Sequence, residues 1–299
     1  MKQLGSALLI AIGLMLGACA QHLLPEPGFN TPSALSYINT HGAKVEVRLP
    51  AQGFVTASMV IDSKRASDAA QVSDNVTRSA VNAGGVVGLL IASAINTQTG
   101  VGVLERDARN SAEHDARPMT TLLAEQNLEA AISRRYQQTS QAAGLPAAQG
   151  QISALVLVEP RLVLSADRGS FILVNRVQVQ DIAGSVLYQR RIEVVGQPFR
   201  SCGAQCIDDG HLEWAKVNEQ LEVCIDEAMR VFAQDLRAGE GVADAGEQTV
   251  RYVLDGRRVV ERGRLLPSAG VYHRYRNLDG AIKSVPMPFE NMAAQSVSP

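Results

Sequence analysis

Apolar and polar residues alternate over 43–62, first through Val45, Val47 and Leu49 and again from Val55 to Ile61, which predicts two strands around a turn at 50–53. A polar stretch of helical character, 63–78, follows. Pro118 suits the first turn of a helix running to about Gln141, with Ala124, Leu128, Ala131, Ile132 and Tyr136 on one side and Gly144-Leu145-Pro146 as its stop. Three strands then read as 152–164, 170–180 and 186–195, joined by turns at 167–169 and 183–185 that are short enough for an antiparallel meander. Alternation in the middle strand breaks at Asn175-Arg176, which predicts a bulge or a change of buried face. Over 212–237 the period becomes helical, and Trp214, Val217, Leu221, Cys224, Ile225, Ala228 and Phe232 form one stripe that would pack on the meander. After a small, polar linker at 238–246 come two units of strand, Leu-Asp-Gly and strand, around Leu254-Asp255-Gly256 and Leu278-Asp279-Gly280, and Asp-Gly is the strongest short hairpin signal.

This order predicts an α+β fold: an antiparallel β-sheet covered by two or more helices in a domain spanning 34–238, then a C-terminal β-hairpin appendage at 247–290 and a tail at 291–299.

One segment breaks the pattern. From Ser79 to Leu104, 26 consecutive residues carry no charge. Within this Gly-rich apolar segment, 80–104, the residues Ala80, Gly84, Gly88 and Ala92 recur every four positions, so in a helix they form a smooth face that admits a neighbouring backbone. Its apolar part, 83–95, is 13 residues long and would span roughly 20 Å as a helix, against about 30 Å of hydrocarbon. The segment therefore reads either as buried core or as an interaction element for self-association or insertion at a membrane surface. Each glycine costs such a helix about 1 kcal/mol relative to alanine, which close packing must offset.

The N-terminus begins with Lys2, continues as an apolar run over 4–16 and ends in Leu16-Gly17-Ala18-Cys19. This layout is that of an export signal, and the last four residues resemble the lipobox of bacterial lipoproteins. The resemblance implies a signal peptide at 1–18, cleavage between Ala18 and Cys19, and palmitate-type acyl chains on Cys19. It implies no cofactor besides that covalent lipid. Ala20 is not the aspartate that commonly retains such proteins in the inner membrane, so the resemblance points to the outer membrane and a periplasm-facing domain. Each buried methylene contributes roughly 0.8 kcal/mol, and two or three chains anchor stably where one does not. Residues 19–33, with Pro25, Pro27 and Pro32, read as an extended lipidated tether, which puts the domain start near Ala34.

Composition narrows the chemistry. Processing removes only Lys2 among charged residues, so 28 Lys and Arg against 30 Asp and Glu become 27 against 30, a formal charge of −3 that gives nucleic acid no basic surface. Aromatic content of 4% argues against a sugar platform of stacked rings. Over 247–290, however, eight Lys and Arg stand against five Asp and Glu, which reads as a solvated hairpin surface or as a patch for acidic headgroups or wall polymer. In an oxidising compartment Cys202 and Cys206, four residues apart around Gly203, are the favoured disulfide, with a bond from either to Cys224 as the alternative. Cys206, Asp208, Asp209, His211 and Glu213 have some metal-ligand character, but one histidine among mixed ligands matches no zinc spacing, and these residues read better as a turn and helix start; no metal is assigned. The chain carries no nucleophile elbow, His-Glu-x-x-His pair or phosphate loop, so no catalytic residue is assigned either.

The helix–meander–helix order resembles that of periplasmic lipoproteins serving as accessory parts of envelope machines. It covers about the central third of the chain and transfers no residue roles. The expectation is a noncatalytic, lipid-anchored envelope protein acting in assembly, secretion, transport or envelope stability. Its partners would be the membrane, through the anchor, and an envelope protein or a second copy. The alternative is a binding module for lipid headgroups or cell-wall polymer that uses the basic hairpins around Arg257 and Arg258; a periplasmic hydrolase would need a buried nucleophile and base that the sequence does not show.

Overall fold

Strand β4, Ala154–Leu164, has a proline at its centre, and the way its neighbours are laid out explains how it is tolerated. A computed structural model of the chain describes residues 28–50, 54–57, 101–124, 126, 128–148, 150, 152–165, 170–197, 214–239, 246–254, 257–268 and 270–287. In it two short strands share the outer edge of β4, both parallel to it: β2, Ala43–Val47, against 154–158 and β3, Val55–Ala57, against 162–164. Arg48 N donates to Val158 O and Leu162 N to Phe54 O, so Val158 and Leu162 direct their backbone groups to that edge. Strand residues two apart point the same way, and Pro160 therefore presents its missing N–H to the gap between β2 and β3, where no ladder bond is lost.

From β4 the chain continues as the predicted meander, β5 at Phe171–Gln180 and β6 at Val186–Val195, both pairs antiparallel. The free edge of β6 is again shared. Strand β1, Phe29–Asn30, pairs with Gln189 and Tyr188, and β10, Ile282–Pro286, runs parallel to 192–194. Beyond β10 lie β9, Tyr272–Asn277, β8, Arg257–Leu266, and β7, Glu247–Leu254, all antiparallel. The described part is a mixed α/β fold with a ten-stranded, mostly antiparallel sheet and four helices: α1, Pro32–His41; α2, Val101–Ala124; α3, Leu128–Ala142; α4, Trp214–Ala238.

Several expectations are corrected. Residues 247–286 are not an appendage: the β6–β10 pairing makes them four of the ten strands of the same sheet. Folded structure begins before Ala34, because β1 and the first turn of α1 already belong to the domain. Pro118 lies inside α2 and not at a helix start; the chain instead breaks between Ala124 and Leu128. The pattern break in β5 marks no bulge at 175–176, since the register shift falls at Val179/Gln180. Asn175 is a fully buried polar residue at a core-facing position, where its Oδ1 accepts from the Tyr136 hydroxyl of α3. Both Asp-Gly hairpins are present: Leu254 pairs with Arg257, and Gly280 takes the left-handed conformation (φ 80°) closing the turn from Asn277.

Helix α4 buries the predicted stripe and packs against α3 and against β5, β6 and β10; Phe232 meets Tyr188 edge-on at 5.1 Å. Helix α1 touches α4, β4 and β6, α3 lies on β2 and α2 on β3. The opposite face of the sheet holds a smaller cluster that includes Ile172, Val195, Tyr252, Val259, Tyr275 and Val285. Residues 263–266 of β8 pair with β9, whereas Glu261, two residues earlier, reaches Tyr275 and Lys283 on that second face. The β7–β8 hairpin therefore bends over the sheet at Gly263.

A side chain at Gly263 has no room, since a Cβ there would sit 2.5 Å from the Arg276 carbonyl oxygen and 2.7 Å from the Tyr275 ring. Gly263→Ala is expected to destabilise the fold by about 1–3 kcal/mol. Gly246→Ala, which meets nothing within 4 Å, should stay within about 0.5 kcal/mol of the parent. Equal urea midpoints for the two variants would contradict the bend.

Candidate functional site

Three buried ionic clusters line the junction where β10 joins β6. On the α4 side, Asp235 near the helix end accepts from Arg190 of β6 (3.2 Å), Arg276 of β9 (2.6 Å) and the Tyr188 hydroxyl (3.0 Å). Arg190 also donates to the carbonyls of Gly28 (2.8 Å) and Gly280 (3.5 Å), and Asn30 Nδ2 caps the carbonyls of Asp235 and Leu236. One guanidinium thus ties the incoming chain, β6, α4 and the β9–β10 turn together. Burial, reinforced by the Asp235 carboxylate, pushes the Tyr188 hydroxyl well up, so it remains a donor.

About two helical turns back, Glu227 takes a bidentate pair from Arg274 of β9 (2.7 and 2.9 Å) and a bond from the Ser284 hydroxyl of β10 (2.6 Å). Arg274 also donates to Gln234 Oε1 at 2.6 Å. On the second face Lys283 of β10, only 4% exposed, lies 2.9 Å from Glu261 and 3.4 Å from Glu193. Burial alone would lower the Lys283 pKa, but the two carboxylates outweigh it and the net shift is upward. Glu261 also accepts from Tyr275 (2.6 Å) and Tyr252 (3.3 Å).

These groups make a clasp whose bonds are directed inward. A cavity of about 110 Å³ between the last turns of α4 and the end of β8 is bounded by Val231, Ala238, Leu266 and Pro267, with Asp235 and Arg274 in its wall. Both of those charges are already paired, so the hole is an apolar packing space.

The surface that faces outward is different. On the side of the sheet where α4 sits, the β7–β8 hairpin before Leu266 lies beyond β5, β6 and β10, the strands against which the helix chiefly packs. Its register sets Arg251 opposite Val260, Val253 opposite Arg258 and Thr249 opposite Arg262. Val253 is 62% exposed and Val260 49%, and all three of these arginines are exposed. Among the described residues Glu247, 3.0 Å from Arg262, offsets part of the positive charge there. The result is a two-stranded checkerboard of guanidinium groups and bare valines, the candidate interaction surface of this protein.

Of the residues singled out in the sequence, Arg258 lies on this surface and Arg257 begins its second strand. Cys224 is a free, buried thiol whose pKa burial pushes up, so it is unreactive. Cys19, the positions Ala80, Gly84, Gly88 and Ala92, the pair Cys202 and Cys206, and the acidic loop at 208–213 lie outside the described residues. Among the described residues no three metal-capable side chains come together. Sequence reading missed the clasp. Its signal was a charge at or beside an apolar stripe position: Glu227 next to Ala228, Asp235 three residues after Phe232, and Lys283 between Ile282 and Val285.

The raised Lys283 pKa has a consequence for stability. A lysine whose folded pKa exceeds its unfolded value of about 10.4 contributes fully below that value and loses the contribution as pH rises through the folded pKa. At pH 7 Lys283→Met removes the cation between two carboxylates but leaves Glu261 its two tyrosine donors and Glu193 its pairing with Arg191 at 2.8 Å, and is expected to cost about 1–3 kcal/mol. The gap to the parent should persist to pH 9 and narrow above pH ~10.4. Urea unfolding of both chains across this range checks it; a gap that widens with alkali contradicts the pairing.

No family model matches this chain, and no curated protein or solved structure does either.

Proposed function

We propose that the chain is a lipid-anchored, noncatalytic envelope protein that works by contact at the outer membrane, with the outer face of the β7–β8 hairpin as its contact surface. The observation that carries this reading is the checkerboard of Arg251, Val253, Arg258 and Val260, where large apolar side chains remain bare among cations. The interior charges speak for a supporting role of the domain, since the clasp carboxylates are spent on holding strands together. Helices α1, α3 and α4 would then cover one face of the sheet and stiffen the support. The lipobox-like Leu16-Gly17-Ala18-Cys19 supports attachment through acyl chains on Cys19. Among the described residues no helix is long and apolar enough to cross a membrane. In this reading the Cys202–Cys206 disulfide closes the loop before α4, and the segment around Gly84 and Gly88 is a second contact element for an envelope protein or another copy.

Photo-crosslinking residues placed at Val253 and Val260, and as a control at Ile182, which is exposed in the β5–β6 turn, test the contact surface in intact membranes. Adducts are expected from the hairpin positions and not from the turn. Equal yields from all three, or none from the hairpin, would remove the contact role.

A further inference from the structure

We infer that the occupant of the β7–β8 outer face is an anionic lipid bilayer, an inference that rests on the contact reading above and names its partner. Arginine suits this role because its planar guanidinium donates two bonds at once to a phosphate. The alternation of residue types decides between a bilayer and a charged polymer. A polymer of sugars and acidic groups can pair with Arg251, Arg258 and Arg262 but offers nothing apolar to Val253 and Val260. The headgroup–acyl boundary accepts both, cations at the phosphate level and valines just below. The face is a two-stranded ribbon with cross-strand pairs Arg251–Val260 and Val253–Arg258, so both rows address one plane.

The position of the hairpin relative to the tether favours the same partner. Gly28, where the described domain begins, lies against the β9–β10 turn: its nitrogen is 4.0 Å from where a Cβ of Gly280 would stand, and Arg190 bridges the carbonyls of both residues. Asn277 at the start of that turn pairs with Gly263, the root of the hairpin. The tether thus reaches the fold beside the hairpin. Eight residues lie between Cys19 and Gly28, and the nine steps from one to the other span at most about 30 Å. An anchor at Cys19 would hold the arginines near headgroups and make their docking intramolecular, so weak individual contacts suffice. Each arginine at an anionic surface strengthens attachment about fivefold.

The test uses the full lipidated chain in vesicles, with an environment-sensitive fluorophore on Val260→Cys and the unsubstituted chain as background. With phosphatidylglycerol present the emission should shift to the blue. With phosphatidylcholine alone it should not, and about 0.5 M NaCl should reverse the shift. Arg251→Gln with Arg258→Gln should lower the docked-to-undocked ratio roughly 25-fold, while a probe on Ile182→Cys stays silent. The salt series on the unaltered arginines decides the matter even if the double variant folds poorly. A Val260 probe indifferent to phosphatidylglycerol, with hairpin crosslinks to protein intact, overturns the lipid inference and leaves the contact reading standing; loss of both overturns both. A shift produced by soluble peptidoglycan fragments and not by vesicles assigns the face to wall polymer and equally overturns it.

Discussion

The structure depends on a short parallel junction. Three residue pairs, Ile282–Ile192, Lys283–Glu193 and Ser284–Val194, join the four C-terminal strands to the meander. Backbone bonds over so short a ladder contribute about 1 kcal/mol each and leave the register open to slippage. The buried charges remove that freedom. Glu227 engages β9 and β10 at once, Asp235 engages β6 and β9, and on the opposite face Lys283 draws Glu261 of β8 towards Glu193 of β6. Such pairs add little net stability over well-packed apolar groups, because desolvation offsets attraction, but a misregistered strand would leave a charge buried and unpaired. Their contribution here is to specify one arrangement.

That arrangement decides what the protein presents. With β10 fixed beside β6, α4 packs against β5, β6 and β10 and reaches the end of β8 at Leu266 and Pro267, while the rest of the β7–β8 hairpin lies beyond the strands the helix chiefly contacts. Gly263 lets the hairpin turn so that Tyr252, Val250 and Val259 enter the second core while Arg251, Val253, Arg258 and Val260 point away. The hairpin is therefore held on both sides of its root, by the Tyr275–Glu261–Lys283 cluster beneath and by Arg276–Asp235 alongside. Through Asn30 and the Arg190 bond to Gly28, the same clasp reaches the first described residues of the chain.

Elements whose burial follows a simple period were legible in the sequence. The meander and α4 lie within two residues of their expected bounds, because alternation and the stripe from Val217 to Phe232 each record one buried face. Both Asp-Gly turns were legible for the same local reason. What failed was long-range or ambiguous. No local pattern reveals that β10 seeks β6, a partner nearly a hundred residues earlier; the charges that direct it look like surface residues until their partners are known. Pro118 suits a helix start, and only the fold reveals that it is held inside α2 despite the hydrogen bond it removes, while a buried Asn175 mimics a bulge. For the candidate surface, the basic excess over 247–290 was visible, but the register that separates inward Arg274 and Arg276 from outward Arg251 and Arg258 belongs to the fold.

Hydrogen exchange of the parent and of Glu227→Gln, resolved by strand, tests the clasp most directly. If buried charge holds the two halves together, the variant loses amide protection in β9 and β10 well before β4 and β5 lose theirs. Uniform loss across all strands, or unchanged protection in β9 and β10, would contradict the account.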